Sequence, residues 1–203
     1  MQDIRLALRS LLRSPGFSTV AILTLALGIG ANAAVFSVVD GVLLKPLPYT
    51  QPGELVMVWE HNIPRDRRTN VVSPGNFIHW RERQTSFVEM AAVFQTSVSV
   101  AEGGAPEEVR AQIVSHTLFP VLGVPPAHGR AFLPSEDVPP RRKVIISDGF
   151  WHRRFAGDRG VLGRSITVSG EPMEIVGIMP PGFQFLDRNI DAWLPLGLPA
   201  QAR

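Results

Sequence analysis

Between Arg13 and Asp40 no residue carries a charge, and Arg5, Arg9 and Arg13 stand immediately before that gap. Twenty-five residues run from Pro15 to Val39. Wound as a helix they would reach about 37 Å at 1.5 Å per residue. A bilayer core needs only about 20 residues, so the segment is expected to cross with length to spare for tilt. Arginines clustered on one flank hold that flank in the cytoplasm. The chain beyond about Lys45 is therefore expected outside the cytoplasm.

A cleavable signal peptide is the rival reading. Ala31-Asn32-Ala33 has the small-residue form of a cleavage site and follows an apolar run. Apolar residues continue through Val35, Phe36, Val38 and Val39, however, where a mature soluble domain usually turns polar. The leader is also organised for a helix. Ile4, Leu8, Leu11 and Leu12 follow helical spacing beside the face formed by Arg5, Arg9 and Arg13. Such a helix suits the cytoplasmic headgroup layer, its arginines toward anionic membrane lipid. The balance favours a retained anchor: a basic amphipathic leader over 1–14, a transmembrane helix over 15–44, and an outer domain over 45–203.

The outer part, roughly 155 residues by this division, is long enough to build a core. Apolar residues make up 45% of the chain and charged ones 19%, the balance of a folded domain. A formal net charge of +2 gives no case for nucleic acid as a partner. The absence of cysteine excludes disulfides, thiolate metal sites and cysteine nucleophiles.

Of the chain's 18 prolines and 18 glycines, most lie in the outer region and break it into short elements. Residues 55–59, Leu-Val-Met-Val-Trp, read as a buried strand, and 76–93 as a helix with Phe77, Trp80, Phe87 and Met90 as its apolar points. Strands are expected at 97–101, 109–114 and 144–147, with helices at 117–122 and 148–155. The clearest signal is a hairpin, 165–169 returning as 173–179 across Gly170-Glu171. Strands and helices mix without regular βαβ spacing, so the fold class is α+β: a transmembrane helix, then a mixed α+β extracytoplasmic domain.

No catalytic constellation stands out. The chain has no G-x-x-x-x-G-K-S/T phosphate loop, no G-x-S-x-G elbow, no H-E-x-x-H and no G-x-G-x-x-G run. Its five histidines are scattered, and His79 with Glu82 suits a solvated helix face better than a metal. Glu136-Asp137 reads as part of a solvated Pro-rich loop rather than a catalytic pair. Arg65-Asp66-Arg67-Arg68 and Arg141-Arg142-Lys143 read as surface clusters, and the four tryptophans as core or interface residues. Neither a cofactor, a metal nor an enzymatic activity is expected. Within the membrane segment Ala26, Gly30 and Ala34 recur every four residues, forming a strip of small side chains where another helix could approach. Asn32 adds a polar group that prefers a neighbouring helix or the interface to lipid.

The leader Ile4-Arg5-Leu6-Ala7-Leu8-Arg9-Ser10-Leu11-Leu12-Arg13-Ser14-Pro15-Gly16-Phe17 resembles the start of permeases of the MacB/FtsX-like ABC transporter superfamily. Leu25-Ala26-Leu27-Gly28-Ile29-Gly30-Ala31-Asn32 and Pro46-Leu47-Pro48-Tyr49 continue the likeness. Ser73-Pro74-Gly75-Asn76-Phe77, Phe119-Pro120-Val121-Leu122-Gly123-Val124, Trp151-His152-Arg153-Arg154-Phe155 and Ile175-Val176-Gly177-Ile178-Met179-Pro180 carry it through the outer region. The likeness is especially close to large bacterial permeases with a duplicated architecture. It implies a bacterial inner-membrane protein whose outer domain is a MacB-like periplasmic core. It also implies other permease helices or a second permease copy as partners, with a separate ABC ATPase driving export or mechanotransmission. Such permeases have three further helices, so the chain ending at Arg203 is expected to be an N-terminal portion with an incomplete outer domain. The alternative is a single-pass, membrane-anchored module that recruits or regulates an envelope protein without transport.

Overall fold

Pro15 opens α1 (Pro15–Val39), where a proline has no hydrogen bond to lose. Its threonines return their hydroxyls to the helix, Thr19 Oγ1 to Pro15 O and Thr24 Oγ1 to Val20 O, both at 2.8 Å. No hydroxyl of these two is thereby left unpaired in an apolar medium. The computed structural model describes residues 13–40, 49–102 and 105–198. The chain forms two compact units, one up to Leu47 and one from Pro48. The expected leader over 1–14 lies outside the described residues except for its last two.

The second unit starts with a two-stranded hairpin, β1 (Glu60–Asn62) against β2 (Arg67–Asn70). Next comes α2 (Pro74–Arg83), started by Ser73, whose hydroxyl takes the Asn76 N–H at 3.2 Å. The remaining elements are β3 (Val93–Ala101), β4 (Glu107–Val114), α3 (Leu118–Leu122), β5 (His128–Gly129), β6 (Lys143–Ile146), α4 (Asp148–Phe155), β7 (Ser165–Val168), β8 (Glu171–Ile178) and β9 (Ala192–Pro195).

Six of these strands close on themselves. The order β8-β6-β9-β4-β3-β7 ends with β7 pairing back onto β8, and β5 takes β7's place along the last two residues of β8. β4 with β9 and β6 with β8 run parallel; the other ladders are antiparallel. Closure leaves these strands almost no free edge.

Side-chain alternation divides the apolar residues between two cores. Val98, Val100, Val109, Ala111, Val144, Ile146, Ile166, Val168, Met173, Ile175, Ala192 and Leu194 point into the ring, where Phe150, Trp151 and Phe155 of α4 cover them. Their neighbours Val114, Ile145, Val176 and Trp193 face the opposite way and meet Leu118, Phe119 and Leu122 of α3, with Phe132 and Ile190. The register slips once, between Val144 opposite Ile175 and Ile145 opposite Gly177. This bulge lets Val176 face the outer core while Ile178 returns to the inner one.

The mixed α+β class and the 165–179 hairpin stand as read from sequence. Two expectations are corrected. Residues 55–59 form no strand, and Val56, Met57, Val58 and Trp59 are exposed. The helix expected over 76–93 ends at Arg83. Gln84 is already extended (ψ 146°), and its side-chain Oε1 accepts the Phe87 N–H at 2.7 Å, local bonding that competes with another helical turn.

Candidate functional site

α1 is the first candidate element. Over Pro15–Ser37 it is, among the described residues, the one helix long and apolar enough to cross a membrane. Ala26, Gly30 and Ala34 lie along one of its faces, all exposed. The space over Gly30 is open: a Cβ there would meet nothing within 4 Å. Arg13 is exposed just ahead of the helix, while Arg5 and Arg9 lie outside the described residues.

The outer unit carries an open groove. Val58, His79, Trp80, Arg83, Gln84, Phe87 and Met90 line an open depression of about 710 Å³. Exposed Val56, Met57, Trp59, Ile63, Val71 and Val88 belong to the same stretch of chain. Apolar surface of this kind marks places where macromolecules meet. Of the tryptophans read as core or interface residues, Trp151 and Trp193 lie in the core, while Trp59 is 48% exposed. Among the described residues no three histidine, aspartate or glutamate side chains gather as a metal site.

Glu136 and Asp137 are not solvated, contrary to the sequence reading. Arg130 grips Glu136 with two parallel bonds, Nη1 to Oε2 at 2.8 Å and Nη2 to Oε1 at 2.7 Å, and the Leu133 N–H adds a third at 2.8 Å. Burial pushes the Glu136 carboxyl up, but these bonds and the Arg130 charge outweigh it and hold the group below its ordinary range. Asp137 turns the other way. Its Oδ2 accepts the His116 main-chain N–H at 2.8 Å and lies 2.7 Å from His116 Nδ1; its Oδ1 accepts the Leu196 N–H at 2.9 Å. Two adjacent carboxylates thus bind different parts of the fold.

The basic clusters also divide. Arg65, Arg67 and Arg68 lie exposed on the β1–β2 hairpin and its turn. Arg141 instead packs against Gly197 and donates Nη2–H to Leu196 O at 2.9 Å, and Lys143 pairs with Glu174 at 2.6 Å. Sequence reasoning missed His116 and the buried pair in which Trp193 Nε1–H donates to Gln112 Oε1 at 2.8 Å. No local pattern announces either contact, because its partners lie 21 and 81 residues apart.

Several solved structures are similar, three of them as follows. The chain aligns with the periplasmic region of MacB from Actinobacillus actinomycetemcomitans at a TM-score of 0.50 and 16% identity, over 66% of this chain and 59% of that one. The extracellular domain of the noncanonic ABC-type transporter YknZ from Gram-positive bacteria aligns at 0.44 and 19%, over 52% and 53%. A domain ascribed to a permease protein from Porphyromonas gingivalis aligns at 0.46 and 19%, over 65% and 61%. The chain therefore spans between about half and three fifths of these structures, and the likeness to MacB is one of fold. No curated protein matches. The profile of the MacB-like periplasmic core domain, in contrast, matches residues 18–203, from inside α1 through the whole outer unit. The chain belongs to the family of MacB-like periplasmic core domains.

Proposed function

We propose that this chain acts as the N-terminal part of an ABC-type permease, supplying a membrane anchor and an extracytoplasmic core domain. The observation that carries the reading is the family match over residues 18–203, a single match that includes most of α1 and the β-barrel. The work is mechanical: a separate ATPase moves the cytoplasmic side, and α1 passes the movement to the outer domain for export or mechanotransmission. Neither a catalytic residue nor a cofactor is needed for that role.

In this reading the basic leader covers 1–14, the membrane segment 15–44 and the outer domain 45–203. Arg5, Arg9 and Arg13 hold the N-terminus in the cytoplasm of a bacterial inner membrane, so the outer domain is periplasmic or extracellular. Ala26, Gly30 and Ala34 supply the face on which another permease helix or a second copy packs, since small side chains let two backbones approach closely.

Purification from the native membrane tests both parts of this reading. The tagged chain, solubilised in mild detergent, is expected to bring down permease copies and an ABC ATPase in stoichiometric amount. Gly30→Leu is expected to lower that recovery several-fold, since it replaces a close approach with a bulky side chain. A monodisperse chain with no ATPase would contradict the permease role and favour a single-pass interaction module, for which the exposed apolar groove is the supporting feature. Unchanged recovery with Gly30→Leu would remove the packing role alone.

A further inference from the structure

No residue from Tyr49 to Asn76 is buried, although the stretch carries Val56, Met57, Trp59, Ile63 and Val71. The barrel leaves this run of apolar side chains uncovered. Within it the β1–β2 hairpin pairs with no third strand. Two strands alone are marginally stable in water, so a surface laid against them would hold them in place. Ile63, 76% exposed, leads the hairpin's turn, and Arg65, Asp66, Arg67 and Arg68 follow it, all exposed. Arg81, Arg110, Arg130, Arg153 and Arg164 each engage a carboxylate; among the described residues none engages Arg65, Arg67 or Arg68. The acids of the stretch do not offset them. Glu54 precedes the apolar run, and Glu60 is turned to the hairpin's base, its Oε2 accepting the Ser73 N–H at 3.3 Å. Asp66 is one acid against three cations.

We propose that this hairpin and the apolar stretch before it dock on the bilayer surface, Ile63 and Trp59 entering the interface while Arg65, Arg67 and Arg68 meet the phosphates of anionic phospholipid. The proposal rests on the reading of α1 as a membrane anchor. A purely apolar protein partner would leave three arginines without counter-charge. A bilayer surface supplies both needs in adjoining layers, anionic phosphate above and hydrocarbon below. Arginine suits that boundary, because its stem lies along apolar surface while its planar fork donates paired hydrogen bonds to phosphate oxygens. Tryptophan prefers the same depth, with its ring in the apolar layer and its N–H toward water. Only eight residues, 41–48, link Asp40 to Tyr49. In any arrangement of the two units, a fully extended link of that length reaches about 30 Å at most. A surface tethered so closely to an anchor meets the bilayer at high effective concentration, so individually weak headgroup contacts suffice.

A spin label tests the docking in the full chain, because the sequence has no cysteine of its own. Ile63→Cys, labelled with an apolar nitroxide, is placed in nanodiscs of phosphatidylcholine or of phosphatidylcholine with phosphatidylglycerol. Relaxation by oxygen, which concentrates in hydrocarbon, is compared with relaxation by a water-soluble nickel chelate. The oxygen-to-nickel ratio is expected to be several-fold higher in the anionic discs, and about 0.5 M salt should shrink the difference by screening. Changing Arg65, Arg67 and Arg68 together to Gln, all on exposed side chains, should abolish it. Val56→Cys repeats the measurement should Ile63→Cys impair recovery. A label equally open to nickel in both lipids overturns the proposal, and so does a difference that survives the triple change. A label shielded from both reagents in either lipid also overturns it, by placing a protein on this surface. Failure of the anchor reading shows separately, as a chain that is not retained in the discs.

Discussion

Trp193→Ala is expected to cost the outer unit about 4 kcal/mol, the largest loss foreseen for any single change. Trp193 sits on β9 with no exposed surface and packs edge-on to Phe119, with ring centroids 6.1 Å apart, and against Phe183 at 5.5 Å. Removing the indole opens a cavity in the core beneath α3. It also strands Gln112 Oε1, a fully buried acceptor whose donor is the indole N–H. The two losses separate experimentally. Trp193→Phe keeps one six-membered ring but removes the donor and a smaller part of the packing, so it should cost about 1–3 kcal/mol. Urea unfolding followed by circular dichroism measures both, and equal costs for the two variants would show that packing contributes little.

Gly177→Val is expected to cost about 3 kcal/mol for a different reason. A Cβ at this position would lie 2.5 Å from the carbonyl oxygen of Arg130 and 3.3 Å from both Ile145 Cγ1 and Pro126 Cβ. The neighbour is backbone and cannot rotate away, since Arg130 N–H is itself bonded to Val176 O at 2.9 Å. Gly75→Ala provides the contrast. It lies inside α2 with nothing within 4 Å of a Cβ, so alanine there should stabilise by up to about 1 kcal/mol. Similar effects at both glycines, read from the same unfolding curves, would remove the bulge from the account.

How much of this was legible in the sequence depended on how each strand is buried. β7 and the first part of β8 bury one face, so their alternation showed, and Gly170 marked the turn at φ +88°. β9 is buried on both faces, between two cores, and has only four residues ending in Pro195; it shows no period and was missed. The apolar run 55–59 misled in the opposite direction. Hydrophobicity predicts that such a segment prefers cover, but not that cover is present, and here Val56 is 62% exposed. Glu136 and Asp137 were misread because their partners arrive by tertiary contact: Arg130 across a loop and His116 from the far end of β4. Membership of the family, by comparison, was legible from the order of motifs along the whole chain, since it needed no geometry.

Thiol labelling tests the central claim, that α1 anchors the chain with its barrel outside the cytoplasm. The sequence contains no cysteine, so Ser169→Cys, at the turn between β7 and β8, creates a unique and exposed target. In intact spheroplasts a membrane-impermeant maleimide should modify Cys at this position to the same extent as after lysis, with the chain recovered in the membrane fraction. Labelling only after lysis would mean a cytoplasmic barrel, and an efficiently labelled chain recovered free of the membrane would mean that α1 had been cleaved as a signal.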